Sequence, residues 1–168
     1  MTIPRGLIMA SMLLALHGCG YSLRGSLPEH IRTVAVPIFA NKTQEPAVEN
    51  VLTRAVVDAF VTSGRLKVVR LEDADSILEG EITGYQLNAL SYNRQANVQE
   101  YRLTVTLNLR FKDVKNNAVL WQQEGLKQQA DFRVQGQVSL TISSEETSLR
   151  TAAVDIGRAI VNLAVDRF

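Results

Sequence analysis

The residue types that carry most enzymatic chemistry are scarce in this chain of 168 residues. Cys19 is the one cysteine, and His17 and His30 are the two histidines. Nucleophilic catalysis needs a serine or cysteine close to a base, and His30, beside Pro28 and Glu29 in a short connecting segment, is poorly suited to be that base. Zinc needs three or four His, Cys or carboxylate ligands at suitable spacing, and the sequence has no such set. We therefore expect no enzymatic activity, no catalytic residues and no metal site.

Acidic side chains cluster at two places without the pattern of a site. The run Glu72–Asp75 lacks the additional oxygen ligands and the spacing of a calcium-binding loop, so we interpret it as a solvated turn. Glu79 and Glu81 are two residues apart on an expected strand, and we expect both to face solvent. Neither cluster supports paired-carboxylate chemistry.

Basic side chains provide the binding chemistry that this sequence offers. They stand among Thr, Asn, Gln and Tyr residues on a strand with one polar face, in the loop before it and in the segment after it. The five candidates are Arg94, Arg102, Arg110, Lys112 and Arg133. Guanidinium groups bind phosphate through two parallel hydrogen bonds, so one interpretation is a set of contacts for anionic lipid head groups. The alternatives are a hydrated sheet face and a polar surface that lies against the wall of another protein.

The overall charge argues against nucleic acid as a partner. The formal net charge is +1, and removal of residues 1–18 would take away Arg5 and no acidic residue, leaving 17 basic and 17 acidic side chains. Nucleic-acid-binding domains carry a clear excess of basic residues. A hydrophobic content of 46% and a charged content of 21% are typical of a folded domain, and the length suggests one domain.

The amino terminus has the pattern of a secretory signal. Arg5 is followed by the predominantly apolar run Gly6–Leu16, whose 11 residues are too few to span a bilayer but typical of a signal-peptide core. Leu16-His17-Gly18-Cys19 follows, and it resembles the bacterial lipobox, in which the chain is cut before an acylated cysteine. The resemblance implies a signal peptide over residues 1–18. It also implies covalent lipid on Cys19, and we expect no other cofactor.

The residues after the cysteine indicate where the lipid would hold the protein. Two or more acyl chains anchor a protein firmly, because each buried methylene contributes about 0.8 kcal/mol. Gly20 stands where an aspartate would resemble an inner-membrane retention signal, so the pattern favours the periplasmic side of the cell outer membrane. Residues 19–32 would then form a short lipidated tether ahead of a single domain over residues 33–168.

Hydrophobic periodicity divides this domain into strands and helices. The first half predicts a strand, an amphipathic helix that ends at Gly64, and two further strands. These elements are Thr33–Phe39, about Pro46 to Ser63, Leu66–Leu71 and Ser76–Leu90. Tyr101–Lys112 alternates apolar and polar residues most regularly, and so has one core face and one wet face. Its predicted partner, Val119–Lys127, follows a hairpin turn.

The last part of the chain combines an ambiguous segment with a clear helix. Residues 128–142 fit either an extension of the preceding strand or a loop. Ser143 with Glu146 matches a capping box, which predicts a helix from Ser143 to about Asp166. Each helix has one apolar stripe. The element order therefore predicts an α+β fold, a two-layer sandwich with two amphipathic helices on one face of a mixed four- to five-stranded sheet.

Three stretches together resemble the LptE family of lipopolysaccharide-assembly lipoproteins. They are "CGYSLRG" at residues 19–25, "VAVPIFANKTQEP" at residues 34–46 and "SYNRQANVQEYRLTVTLNLRF" at residues 91–111. The resemblance implies a non-enzymatic subunit that plugs the lumen of the LptD β-barrel, helps that barrel to assemble and binds lipopolysaccharide. It places one basic residue of the family on Arg94. A second basic position of the family meets Ser143 or Ser144 here, and Arg133 or Lys127 would have to substitute for it.

One of these stretches also resembles a different class of envelope protein. "VAVPIFANKTQEP" followed by an amphipathic helix is similar to the opening of the TolB amino-terminal domain and of the curli-secretion lipoproteins. That interpretation predicts a periplasmic scaffold or an oligomeric secretion lipoprotein instead of a barrel plug. The long alternating strand and "CGYSLRG" favour the LptE family, and co-purification with a large β-barrel or as a self-assembled ring would distinguish the two.

Overall fold

A computed structural model describes residues 27–134 and 138–166, apart from the side chains of residues 138–140 and 165–166. In chain order its elements are β1 (Thr33–Ala35), β2 (Ala40–Asn41), α1 (Val48–Ser63), β3 (Lys67–Val68), β4 (Ser76–Tyr92), β5 (Val98–Asp113), β6 (Ala118–Arg133) and α2 (Val138–Asp166). A short 3₁₀ turn, Leu71–Asp73, precedes β4. The predicted signal peptide and Cys19 lie outside the described residues.

The strands form one mixed sheet. Its order is β3-β1-β4-β5-β6, and β2 pairs separately with β4. The short strands are parallel to their neighbours, whereas β4, β5 and β6 form a long antiparallel meander. Helix α1 connects β1 to β3, and α2 returns across β6 to pack beside α1. The predicted α+β fold with two helices on a mixed sheet is confirmed, and β2 is the one strand that the sequence pattern did not indicate.

The core lies between the two helices and one face of the sheet. Alternate residues of β4 and β5 supply the sheet side. Six apolar side chains there have no exposed surface: Leu78, Ile82, Leu103, Val105, Leu107 and Phe111. The helices supply the other side through the predicted apolar stripes. Fully buried stripe residues are Val48, Leu52, Val56 and Phe60 on α1, and Ala152, Ile156, Ile160 and Ala164 on α2. The faces predicted for the most regular strand are therefore correct.

Two glycines are needed because other parts of the chain approach their backbone closely. A Cβ at Gly80 of β4 would lie 2.6 Å from the ring of Phe39. A Cβ at Gly157 of α2 would lie 2.8 Å from the carbonyl oxygen of Ala55 and 3.0 Å from Cβ of Ala59, both on α1. Any side chain at these positions would push apart groups that now pack in contact.

The first strand is shorter than predicted. Pairing ends at Ala35 instead of Phe39, because Pro37 has no N–H to donate and the chain turns away from the sheet. The turn lets the backbone N–H of Phe39 donate to Oγ1 of Thr53 on α1, at 3.0 Å. The second predicted strand is also shorter, since only Lys67–Val68 pairs before the chain enters the 3₁₀ turn.

The ambiguous segment divides between two elements. β6 continues to Arg133, and α2 begins at Val138, so the helix starts five residues before the predicted capping box. The prediction that Ser143 caps the helix is wrong. Ser143 lies inside α2, where its carbonyl oxygen accepts a hydrogen bond from Oγ1 of Thr147 at 2.8 Å.

The segment before β1 is attached to the domain at two points. Ile31 is buried in the core, and Nε2 of His30 lies 2.9 Å from Oδ2 of Asp113, at the end of β5. Asp113 is buried, which alone would raise its pKa. Hydrogen bonds from the backbone and side chain of Asn116 and from His30 outweigh that effect and hold the pKa of Asp113 below its ordinary value.

Candidate functional site

The outward sides of β4, β5 and β6 form a broad polar surface, which we call the open face. Both helices pack on the opposite side of the sheet and leave it uncovered. Its neutral members include Gln86, Thr104, Thr106, Asn108, Gln122 and Gln129. Each strand has 16 or 17 residues, so at 3.3 Å per residue the open face extends over about 50 Å. Four of the five predicted basic residues lie on this face.

Arg102 is paired with its neighbour on β6. Its Nε and Nη2 donate to the two carboxylate oxygens of Asp131, each at 2.7 Å. These hydrogen bonds raise the pKa of Arg102 and lower the pKa of Asp131. The two-bond geometry that suits phosphate is thus already used inside the sheet, and a phosphate would have to displace Asp131 to reach it.

Lys112 and Arg110 stand among acidic side chains at one end of the open face. Nζ of Lys112 lies 2.6 Å from Oε1 of Glu79. Arg110 is exposed, and it lies beside a depression of about 300 Å³ that Glu79, Glu81 and Glu124 also line. An anionic ligand would meet three carboxylates here, so this end is electrostatically unfavourable for a phosphate.

Arg94 occupies the turn between β4 and β5, beyond the other end of the open face. Asn93 shapes this turn, because its Oδ1 accepts hydrogen bonds from the backbone N–H groups of Gln95 (2.9 Å) and Asn97 (3.0 Å). Ala96 completes the turn with φ of 61°. The side chain of Arg94 is exposed, and no ion pair joins it to another residue of the described chain.

Arg133 ends β6 at the same end of the sheet as Arg94, opposite Glu100 of β5. Its side chain is exposed and has no ion pair within the described ranges. Eight residues separate Arg102 from Arg110, which corresponds to about 27 Å along a strand. The structure therefore divides the five predicted residues into two groups. Arg94, Arg133 and the paired Arg102 lie towards one end, and Arg110 and Lys112 lie towards the other.

Exposed apolar residues near Arg94 were not predicted as part of a site. Leu87, Leu90 and Tyr92 of β4 are 41%, 40% and 62% exposed. Register shifts on either side of Ser91 interrupt the alternation there. The available sequence signal was three apolar residues in the last six positions of a strand that leads into a polar turn. Leu87 stands opposite Leu103 on the side of the sheet where the helices pack, whereas Tyr92 lies two residues before Arg94. Tyr92 and Arg94 combine exposed aromatic surface with an unneutralised guanidinium, which suits an amphiphile with an anionic head group.

A groove of about 730 Å³ runs between the outer sides of α1 and α2. Small and apolar side chains line its floor, among them Val51, Ala55, Ala59, Ala153, Val154 and Val161. On its rim Arg150 pairs with Glu146 at 2.7 Å, and Arg158 pairs with Asp155 at 3.3 Å. These exposed pairs follow the geometry of ordinary helix-surface ion pairs.

Tyr85 links α2 to the sheet. Its hydroxyl donates to Oε1 of Glu145 at 2.8 Å. Burial raises the pKa of Tyr85 well above its ordinary value, and the bond to the Glu145 carboxylate raises it further. The phenol therefore stays protonated and keeps this bond, so Tyr85 holds α2 in position.

Residues 27–134 and 138–166 contain no cluster of potential metal ligands. No group of three or more His, Cys, Asp or Glu side chains in these ranges is placed to hold a metal ion. In the same ranges, neither helix combines the length and the apolar character that crossing a membrane requires. The candidate site consists of the open face and of the turn that carries Arg94.

Several solved structures share this fold at low sequence identity. A protein from Xanthomonas campestris is 14% identical with a TM-score of 0.59, covering 83% of this chain and 87% of that one. Rare lipoprotein B from Shewanella oneidensis is 16% identical with a TM-score of 0.52, and the match covers 77% of this chain and 92% of that one. An uncharacterized lipoprotein B from Nitrosomonas europaea is 20% identical with a TM-score of 0.52, and the match covers 86% of this chain and 92% of that one.

Sequence comparison identifies the family. No curated protein matches the chain. The sequence model of the LptE family, described as lipopolysaccharide-assembly, matches residues 31–163. That match runs from the end of the segment before β1 almost to the end of α2. This protein therefore belongs to the LptE family.

Proposed function

We propose that this protein is a lipid-anchored subunit on the periplasmic side of the outer membrane that plugs an LptD-like β-barrel and helps it to assemble. The complex would insert lipopolysaccharide into the outer leaflet. Family membership over residues 31–163 supports a role in lipopolysaccharide assembly. The observation that carries the finer proposal is the open face, a long polar surface on a three-stranded meander that the protein's own helices leave uncovered.

The chemistry of the open face suits the inside of a membrane barrel. Barrel interiors are polar, and Thr, Asn and Gln side chains can donate to and accept from such a wall. The pairs Arg102–Asp131 and Lys112–Glu79 cancel charge that would otherwise be costly to desolvate against it.

Direct lipopolysaccharide binding is proposed at the end of the sheet that carries Arg94. Arg94 and Arg133 present exposed guanidinium groups that suit phosphate. Leu90 and Tyr92 add exposed apolar surface within four residues of Arg94. We assign the head-group contacts to Arg94 and Arg133, and no head-group contact to Arg110, because three carboxylates surround it.

The lipid anchor is proposed at Cys19 on the basis of the lipobox resemblance. Seven residues, 20–26, separate Cys19 from the described chain and extend over at most about 25 Å. His30 and Ile31 then attach the chain firmly to the domain. The domain would thus stay close to the membrane surface.

Co-purification tests the proposed function. Full-length protein with a carboxyl-terminal tag, extracted from native outer membranes in mild detergent, is expected to bring down one large β-barrel in a one-to-one complex. Mass spectrometry would identify that barrel. Recovery of the protein as a self-assembled ring without a barrel would refute the plug and support the envelope-scaffold alternative.

A further inference from the structure

β6 is the long edge strand of the sheet, and its outer backbone groups can be assigned. The other edge, β3, has only two residues. The backbone N–H of Val134 donates to the carbonyl oxygen of Gln99 at 3.0 Å, so residue 134 faces β5. Backbone groups alternate in direction along a strand, and the even-numbered residues 126–132 therefore also face β5. The residues whose N–H and C=O groups point outward are Lys127, Gln129, Asp131 and Arg133.

These four residues form an open strand edge. All four are exposed, whereas the residues between them are partly or fully buried. No hydrogen bond between described residues uses their outward backbone groups. From Lys127 to Arg133 the edge extends over about 20 Å, enough for one added strand of six or seven residues. Unpaired edges of this length are templates for another strand.

The first part of β6, from Ala118 to Gly125, is less suitable for pairing with an added strand. The register with β5 shifts between Leu107 and Leu109, and Gly125 of β6 adopts φ of 63° at the same level. The N–H of Gly125 donates to the side chain of Asn108 at 3.0 Å instead of to a backbone carbonyl. Because this bulge interrupts the ladder of hydrogen bonds, an added strand could pair with β6 only between Lys127 and Arg133.

The position of α2 decides what kind of strand can pair. The helix packs more against β6 than against β5, and Phe132 and Trp121 of β6 are each only 7% exposed. An α-helix is about 10 Å wide and neighbouring strands are about 4.8 Å apart, so α2 extends over the space beside β6. In a symmetric pair of two copies, both α2 helices would need that same space. A strand that carries no helix on that side fits in the space beside β6, under the part of α2 that extends past the edge.

We infer that the edge Lys127–Arg133 accepts an extended loop segment of the barrel partner, which pairs with β6 as an added strand. The identity of the partner rests on the proposed function. Strands of the barrel wall are already paired on both sides, so a loop has to supply the segment. Asp131 is neutralised by Arg102, whereas Lys127 and Arg133 have no ion pair in the described chain. The added strand therefore carries an acidic side chain opposite Lys127, and Arg133 at the end of the edge keeps its proposed contact with a lipopolysaccharide head group.

A proline at an outward-facing position tests this pairing. Gln129→Pro removes an N–H that points away from β5, so the bonds between β5 and β6 are retained. Gln129→Thr changes the same side chain and keeps the N–H. We expect Gln129→Pro to reduce barrel recovery about tenfold, consistent with the loss of a backbone hydrogen bond and of close strand approach. Gln129→Thr should recover the barrel as the wild type does, and both variants should melt close to the wild type.

Hydrogen exchange of the wild-type complex provides an independent readout that needs no variant. The amides of Lys127, Gln129, Asp131 and Arg133 should exchange about tenfold more slowly in the complex than in the free protein. Unchanged exchange together with full barrel recovery by Gln129→Pro would overturn the edge inference and leave the proposed function standing. If the wild type recovers no barrel, the proposed function fails as well. A free protein that elutes as a dimer, and as a monomer after Gln129→Pro, would assign the edge to a second copy and overturn the inference.

Discussion

Arg94 differs from the paired basic side chains of the open face because its charge is not compensated by any neighbour in the described chain. Arg94 is exposed in a turn that Asn93 shapes, whereas Arg102 and Lys112 have carboxylate partners within 2.7 Å. An exposed guanidinium without a partner loses little when it binds an anion. Arg94 is therefore the residue at which a charge change should affect ligand binding most and folding least.

Arg94→Glu is expected to weaken the binding of purified lipopolysaccharide by about tenfold or more, since a charge-assisted hydrogen bond contributes about 1.5–3 kcal/mol. Equilibrium titration of the soluble domain with lipopolysaccharide would measure this. Arg65→Glu is the matched control, because Arg65 is also exposed but follows α1 at the opposite end of the molecule. Equal binding by Arg94→Glu and the wild type would remove Arg94 from the site.

Leu107 tests the assignment of strand faces at a single position. Leu107 has no exposed surface and lies between Ile82 of β4 and Leu126 of β6. Leu107→Asp should lower the free energy of unfolding by about 4 kcal/mol or more, because it buries an unpaired carboxylate. Thr106→Asp points the same group to the open face, opposite Lys127, and should change stability by less than about 1 kcal/mol. Urea unfolding of both variants distinguishes them, and a near-normal Leu107→Asp would mean that the faces are reversed.

At the scale of the elements, one carboxylate fastens the start of β1 to the chain that enters β4. Oδ2 of Asp75 accepts hydrogen bonds from the hydroxyl of Thr33 (2.7 Å) and from the backbone N–H groups of Thr33 (2.9 Å) and Arg32 (3.1 Å). The Thr33 hydroxyl first, and the backbone N–H of Arg32 next, lower the pKa of Asp75. Its stabilising effect is therefore fully present above the ordinary carboxyl pKa and is lost as the pH falls through the lowered value.

Thr33→Val should raise the pKa of Asp75 towards its ordinary value and lower stability at neutral pH by about 1 kcal/mol, because it removes a hydrogen bond to an ionised group. Since the wild type loses the same bond on protonation, the difference should shrink at about pH 2. Carbon NMR titration of Asp75 and urea unfolding at both pH values measure these effects. Thr83→Val, whose hydroxyl makes only a 3.4 Å contact, is the control. A constant difference at all pH values would contradict the account.

The sequence predicts best those elements in which apolar side chains on one face alternate clearly with polar side chains on the other. β5 alternates apolar and charged residues, and α1 ends at Gly64, which adopts φ of 62°. The end of β6 was ambiguous because Gln128 and Ala130 occupy its inward positions, so its period of two has little contrast. The start of α2 is not predicted correctly, because the pattern of Ser143 and Glu146 matches a capping box although both residues lie inside the helix.

The site was less predictable than the fold for a similar reason. The sequence shows that Arg102 is on a polar face, but its partner Asp131 is 29 positions away and depends on the register of β5 with β6. Likewise, the carboxylates around Arg110 come from two different strands. Residue type identified the cations, and only the pairing of strands shows which of them retain an uncompensated charge.

At the scale of the whole molecule, attachment to the membrane is expected to depend on one residue. Cys19→Ala should yield an unacylated precursor or a soluble form, because the thiol that would carry the first acyl chain is absent. Metabolic labelling with palmitate, followed by membrane fractionation, would detect this. Ser22→Ala, three residues further along, is the control and should label normally. Labelling that persists in Cys19→Ala would exclude the lipobox interpretation.

The position of β1 has a mechanical consequence if the proposed lipid on Cys19 holds the protein by its amino terminus. β1 lies inside the sheet between β3 and β4 and is parallel to both. A pull on the preceding segment acts along the strand axis, so the hydrogen bonds on both sides share the load instead of breaking one after another. The contacts of His30 with Asp113 and of Asp75 with Thr33 add resistance at the point where the force enters. The domain is thus loaded in shear, the direction in which a strand is hardest to extract.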